Sequence, residues 1–338
     1  MPNSSNQILL TSLLRDVSRS FYLTLRVLPR AVRPQIGLTY LLARTTDTIA
    51  DTQLVPLNER LVALQDLIEH IEGTKTAALQ LRQLTGQQSS PAERALLERC
   101  EETVKLLRSF SSFDQQLIVA VLRTIVSGQE LDLRRFAAAS STNIVSLQTA
   151  KDLDDYTYRV AGCVGEFWTK ICRAHVFPSA DLDDTFLLAN GVRFGKGLQL
   201  VNILRDLPVD LGQGRCYLPH EQLQAHRIEP RELLEPSNEP RMRPIYNAWL
   251  DQAHAHLVAG WNYTNRLPRR RVRVRLACAW PLLIGRQTLD LLRQGTVLNP
   301  NKRVKVTRRD VKSILWRTVM FYPWPHRWER LFGAIGSY

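Results

Sequence analysis

"NILRDLPVD" (202–210) sets Asp206 and Asp210 four residues apart beside Arg205, and "RTTDTIAD" (44–51) repeats the arrangement with Asp47, Asp51 and Arg44. Each pair sits in an apolar run, with Leu41, Leu42 and Ile49 around the first and Leu200, Val201, Ile203 and Leu204 around the second. The apolar spacing is that of a helix. On a helix, side chains at i and i+4 lie roughly 40° apart around the axis and about 6 Å apart along it, so each pair projects from one face. Like charges so placed cost an isolated helix roughly a few tenths of a kcal/mol, and burial among apolar neighbours multiplies the cost. Something cationic has to offset it. Mg²⁺ shared between carboxylates and diphosphate oxygens is an economical candidate, with the adjacent arginine taking a phosphate oxygen directly. One D-x-x-x-D on a helix is commonplace. Two, each beside an arginine in an otherwise apolar helix, point to a metal site.

The rest of the chain is helical in the same way. Leu9, Leu10, Leu13, Leu14 and Val17 form an i, i+3, i+4 stripe, as do Leu117, Val121, Leu122 and Ile125. "RVRVRL" (271–276) reads as the basic start of a helix. Breaks fall at "TGQQSSP" (85–91), "AAASSTN" (137–143), "HVFPSAD" (175–181) and the Pro-rich "EPRELLEPSNEPRMRP" (229–244), the last read as a surface loop. Two "DLDD" clusters, 152–155 and 181–184, sit at helix starts, where capping and the helix dipole account for them. Pro208 removes the backbone bond to the Leu204 carbonyl and is expected to kink or end its helix near Asp210. No fixed-period repeat occurs, so the economical reading is one all-α domain over 1–338 of about a dozen helices. Its core is expected over about 10–310, ahead of an aromatic and basic segment at 320–338.

Composition agrees with that class: of 338 residues, 44% are hydrophobic and 23% charged. The net charge of +13 favours anionic partners. Five cysteines without a C-x-x-C argue against a disulfide framework or structural zinc, and for a reducing cytoplasm. The N-terminal stretch lacks the basic and apolar regions of a signal peptide, and nothing approaches a membrane-spanning run. The chain is expected to be soluble or peripheral.

Four stretches together resemble the squalene/phytoene synthase family, the head-to-head prenyl synthases, and most of all its bacterial squalene synthases. They are "SRSFYLTLRVLP" (18–29), "YLLARTTDTIAD" (40–51), "YTYRVAGCVGE" (156–166) and "GKGLQLVNILRDLPVDLGQGRCYLP" (195–219). The resemblance implies the isoprenoid-synthase fold, a helical bundle around a central apolar cavity with the two aspartate motifs facing across its mouth. It also implies a transferase that condenses two farnesyl diphosphates to presqualene diphosphate and, with NADPH, reduces that to squalene. Mg²⁺ would be served by Asp47, Asp51, Asn202, Asp206 and Asp210. Arg19, Arg44, Arg205 and Arg215 would meet phosphates, Ser18, Phe21, Tyr40, Val160 and Gln199 the substrate, and Tyr156 would assist proton loss or steady the cation. The small face of Ala161, Gly162 and Gly165 would leave room for a prenyl tail.

The chain departs from its eukaryotic relatives in carrying Ala50 and Val209 where they have Glu before the last aspartate. Its C-terminal "FYPWPHRWERLFGAIGSY" (321–338) is too short and charged to span a bilayer. Peripheral contact with anionic lipid at the inner face of the membrane and a packed C-terminal helix both remain open for it. "LACAWPLLIGRQTLDLL" (276–292) is closer to the squalene branch than to carotenoid-forming relatives. Presqualene diphosphate, dehydrosqualene and phytoene are the alternative products. No G-x-G-x-x-G occurs, so NADPH would rest on residues such as Arg303 and Lys305, which fit diphosphate contacts or solvated charge equally well. The basic runs "RLPRRRVRVR" (266–275) and "KRVKVTRR" (302–309) invite a nucleic-acid-binding reading, but they lack a recognition helix. Nucleic acid is therefore not an expected partner. A head-to-tail synthase or cyclase is disfavoured too, since neither motif has the adjacent pair of Asp-Asp-x-x-Asp.

Overall fold

Residues 9–18 and 22–333 are described by the structure, a computed structural model, and they are helical almost throughout, as the periodicity predicts. The chain divides into two units, Met1–Arg134 with Phe167–Ser179 and Arg135–Glu166 with Ala180–Tyr338.

The first unit opens with one π turn (Leu9–Leu13) that runs into α1 (Leu14–Ser18). There follow α2 (Tyr22–Val27), α3 (Arg33–Asp51), α4 (Leu57–Glu72), α5 (Arg82–Gly86), α6 (Pro91–Glu98), α7 (Cys100–Leu107) and α8 (Ser112–Arg135). Its central element is α3, which starts on a proline in its first turn and is packed by α4, α6 and α7. Polar as "RTTDTIADT" looks, most of it is buried, because its hydroxyls bond their own helix. Thr39, Thr45, Thr46 and Thr48 donate to the carbonyls of Gln35, Leu41, Ala43 and Arg44, and Thr52 to that of Thr48. At the helix end, the buried Arg60 donates to the Ala50 carbonyl at 2.6 Å, satisfying a terminal acceptor and complementing the dipole.

The second unit holds β1 (Val145–Ser146), α9 (Ala150–Thr157), a π turn (Tyr158–Gly162), α10 (Cys163–His175, belonging to the first unit from Phe167) and α11 (Asp184–Gly212). Next come β2 (Arg215–Cys216), α12 (His220–Ala225), α13 (Glu239–Arg266), α14 (Val272–Gln294), α15 (Arg308–Phe321) and α16 (Pro325–Gly333). β1 and β2 form a two-residue parallel pair that the sequence reading did not anticipate. The 271–276 run does begin a helix, α14. The expected loop at 229–244 is shorter than predicted. Two 3₁₀ turns, Pro230–Leu234 and Pro236–Asn238, lead into α13 at Glu239. The reason is that Pro240 stands in the first turn of α13, where no backbone donor is needed.

The longest helix, α11, lies along α13 and α14. It passes through Pro208 and ends at Gly212, two residues beyond Asp210. The Leu204 carbonyl, which Pro208 cannot bond, accepts instead from the Tyr246 hydroxyl of α13 at 2.8 Å. Tyr246 is fully buried, and burial holds its phenol protonated far above the usual range, so it remains a donor. Tyr246→Phe strands that carbonyl at a cost of about 1–3 kcal/mol. Its melting midpoint is expected to fall, by about 2–4 °C per kcal/mol. An unchanged midpoint would remove the role assigned to the hydroxyl.

Candidate active site

Past the first two residues of α3, the positions not buried form one stripe: Tyr40, Ala43, Arg44, Asp47 and Asp51, spaced i, i+3, i+4, i+7, i+11. Asp51 is the last residue of the helix, so both carboxylates stand at its negative dipole end, where anions are disfavoured and cations welcome. Nearly half of the Asp47 side-chain surface is open (47%). Even so, desolvation by the surrounding protein and, secondarily, the Asp51 carboxylate push its pKa up to about 6. Arg44 and Gln129 act the other way without winning. Gln129 of α8 donates Nε2 to Asp47 Oδ1 at 2.6 Å, and its own buried Oε1 has no partner among the described residues. Arg44 lies 3.9 Å from Asp47 Oδ2 and donates Nη2 to Glu93 of α6. Burial works against its charge, but these two carboxylates raise its pKa above the ordinary value.

The second stripe, on α11, is built alike and charged differently. Gln199, Asn202, Arg205, Asp206, Val209 and Asp210 are its open positions, again in the last turns of a helix. Arg205 donates Nε and Nη2 to the two oxygens of Asp206 at 3.1 and 2.6 Å, and Arg303 adds Nη2 at 2.6 Å. Burial opposes the charge of Asp206, yet the two guanidiniums hold its carboxyl below the usual range. Arg303, for which an NADPH phosphate, a diphosphate contact and solvated charge were all open, thus sits on Asp206 of the second acidic pair, while Lys305 is exposed. Asp210 stands close enough to β2 that its charge, added to burial, helps push the Cys216 thiol up to about 12.

Behind this stripe an aromatic stack holds Tyr156 of α9. Its ring lies on Tyr217 at 5.1 Å and 24°, Tyr217 meets Phe136 edge-on at 5.2 Å, and Arg215 lies over Phe136 at 5.9 Å. Gly214 sets this up. Its φ of +82° suits glycine, and a Cβ there would come within 2.4 Å of the Ser140 backbone. Val160 and Ala161 lie half-buried in the π turn, a local irregularity that frequently marks functional sites. The space expected beside Gly162 and Gly165 is taken, which corrects that expectation. A Cβ on Gly165 would fall 1.8 Å from the Gly191 carbonyl oxygen, and one on Gly162 3.3 Å from Val192 and Lys196. Gly165 is small so that α11 can approach at backbone distance, whereas Gly162 is crowded by side chains, Tyr158 nearest of them. Ser18 closes α1, buried and with a hydroxyl that finds no partner among the described residues. Arg19 and Phe21 lie outside the described residues.

No group of three or more His, Cys, Asp or Glu side chains among the described residues forms a ready-made metal cage. Mg²⁺ held by one or two carboxylates and completed by diphosphate oxygens does not need one. The first stripe fits such an ion: its carboxyl is raised by desolvation and by Asp51, the helix end favours a cation, and the Gln129 oxygen has no partner among the described residues. On the second stripe, guanidiniums already occupy that role at Asp206. Gln129 and Glu93 were missed by the sequence reading. Gln129 had a signal: it continues the apolar stripe of Val121, Leu122 and Ile125 by one more turn.

Asp47→Asn keeps the shape and the acceptor for Gln129 while removing the charge. A carboxyl whose folded pKa exceeds its usual 3.8 costs stability as pH rises between the two values. The ligand-free variant is therefore expected to melt higher than the parent at pH 7.5, by about 2–4 °C for ~1 kcal/mol after solvent screening. The gain should vanish below pH 4, where both carry a neutral side chain. A variant no more stable at pH 7.5 would mean that Asp47 bears no such strain.

The fold has counterparts among solved structures, and the sequence has relatives. Fission-yeast (Schizosaccharomyces pombe) squalene synthase is 25% identical over 311 residues, 91% of this chain, and the alignment covers 64% of that enzyme's length. The presqualene diphosphate synthase of Sinorhizobium fredii is 29% identical over 308 residues, 88% of this chain and 92% of that one. Among solved structures, TcSQS in complex with the ligand E5700 superimposes with a TM-score of 0.75 at 23% identity, over 93% of this chain and 86% of that one, a likeness of fold. The sequence profile of squalene/phytoene synthase matches residues 14–310, which takes in both acidic stripes, the π turn and β2, and so the chain belongs to the squalene/phytoene synthase family of prenyltransferases.

Proposed function

We propose that the chain joins two farnesyl diphosphates head to head to give presqualene diphosphate and, with NADPH, rearranges and reduces that product to squalene. The observation that carries the reading is the duplication of one chemical device: two helix ends, each presenting paired carboxylates and an arginine. A reaction with two diphosphates to hold requires two such devices. Asp47 and Asp51, and Asp206, Asp210 and Asn202, would hold Mg²⁺, which would supply positive charge to a departing diphosphate. Arg44 and Arg205, paired with Glu93 and Asp206 in the absence of substrate, exchange those carboxylates for phosphate oxygens. Arg215 and Arg303 add charge beside the second stripe, and Tyr156, its ring fixed by Tyr217, offers its face and hydroxyl where a carbocation is steadied or a proton lost. Among the described residues, no helix is long and apolar enough to cross a membrane. We place the chain in the cytoplasm, peripherally at the inner face of the membrane, with no nucleic-acid partner.

A second reading, in which the chain stops at presqualene diphosphate, is favoured by the relative of that name in Sinorhizobium fredii, with which the chain aligns over 92% of that enzyme's length. Incubation of the pure chain with farnesyl diphosphate and Mg²⁺, with and without NADPH, separates the two. Squalene only with NADPH supports the full reaction, and presqualene diphosphate under both conditions supports the shorter one. Dehydrosqualene would place the chain on the non-reducing branch. Farnesyl diphosphate left intact, or consumed equally in excess EDTA, would overturn both readings.

A further inference from the structure

Two tryptophans stand open to solvent, Trp316 (64%) and Trp324 (52%), and both belong to the end of the second unit. They are not part of a loose tail. α15 is capped at Thr307, whose hydroxyl accepts from the Asp310 backbone. On its inner face it buries Ile314 and Thr318, and Thr318 accepts from Trp280 of α14 at 2.9 Å. α16 turns its apolar side inward, burying Trp328, Leu331 and Phe332. The outer face of α15 therefore presents Arg309, Lys312, Trp316 and Val319 in helical succession, basic at one end and apolar at the other.

The arginine-rich turn between α13 and α14 is fastened to the apolar end. Arg269 donates to the Pro323 carbonyl at 2.6 Å, and the Tyr322 hydroxyl donates to the Arg269 carbonyl at 2.6 Å, directly before Trp324. Six of the ten residues 266–275 are arginine and none is acidic. One of them, Arg275, is buried against the rings of both Tyr322 and Trp328, which fastens the turn to the aromatics a second time. Arg327 lies over Phe321 and Trp324 at 5.8 and 5.7 Å.

We propose that the face formed by Trp316, Val319 and Trp324 with the Arg269–Arg273 turn docks on an anionic lipid bilayer, the indoles entering the headgroup level and the guanidiniums meeting lipid phosphates. Exposed indoles on a rigid helix beside concentrated positive charge match an anionic interface on both counts. A nucleic acid would use the charge but leave Trp316 and Val319 in water, and a second copy of this chain would set arginines against arginines. The inference deepens the reading of peripheral membrane contact and rests on it. It does not depend on the reaction.

Co-sedimentation of the full chain with phosphatidylcholine vesicles, with or without phosphatidylglycerol, tests the proposal. The expected result is binding to the mixed vesicles only, with a blue shift of tryptophan emission and weakening in high salt. Trp316→Ser with Trp324→Ser, and separately Arg270→Glu with Arg271→Glu, should each weaken binding about tenfold or more with melting midpoints unchanged. Any of four results would overturn it: no binding, equal binding to neutral vesicles, parental binding by both double variants, or preference for duplex DNA over vesicles. So would dimerisation abolished by the tryptophan substitutions. Turnover of farnesyl diphosphate in vesicle-free samples of the same variants keeps the outcomes separate: reaction without vesicle binding fails the surface and the membrane contact it rests on but leaves the proposed reaction standing, and vesicle binding without reaction fails only the proposed reaction.

Discussion

The hydrogen bond from Tyr246 to the Leu204 carbonyl is the contact on which the second half of the molecule depends. A proline inside a helix removes one bond and pushes back the carbonyl four residues earlier. A buried carbonyl left so would be costly, and the cheaper course would be to end α11 before Pro208. With a permanently protonated phenol at that point, α11 continues for another turn and carries Asp210 on the same stripe as Asn202 and Asp206. The same helix is clasped on another side by the π turn, where Gly195 meets the Ala161 carbonyl, and by the start of α10, where Gly165 meets the Gly191 carbonyl. The acidic stripe is thus built on a helix held in place by main-chain contact.

The two acidic stripes share a design and differ in electrostatic state. Asp47 is an under-compensated carboxyl, raised to about 6 by desolvation and by Asp51 against the weaker pull of Arg44 and Gln129. Asp206 is compensated in advance by Arg205 and Arg303 and held below the usual range. A cation arriving at the first relieves a strain, whereas a cation arriving at the second replaces partners already there. Two sites so prepared are not equivalent toward an arriving cation.

The structure gives several residues partners that the sequence does not show. Of the glycines in "VAGCVGE", expected to clear space for a substrate tail, Gly165 faces the backbone of α11 and Gly162 the side chains of Tyr158, Val192 and Lys196. Arg303, for which a dinucleotide phosphate, a diphosphate contact and solvated charge were all open, lies on Asp206. Gln129, the residue that holds Asp47, was passed over although it continues an apolar stripe as a polar residue. A one-dimensional pattern reports which face a residue occupies and leaves its partner open, and function here is set by the partner.

From the sequence alone follow the all-α class, most helix positions, the two acidic stripes and the family. All of these depend on residue spacing along one helix or on an uninterrupted motif, and such information is local in the chain. The tertiary structure decided the rest. It let α11 pass through a proline, left Asp47 strained and Asp206 neutralised, filled the space beside Gly165, and turned α16 inward while leaving Trp316 and Trp324 outside. Each of these rests on groups far apart in sequence, such as Tyr246 with Leu204, Gln129 with Asp47, Arg303 with Asp206 and Arg269 with Pro323. Desolvation and hydrogen bonding act between neighbours in space, and those neighbours exist only once the chain has folded.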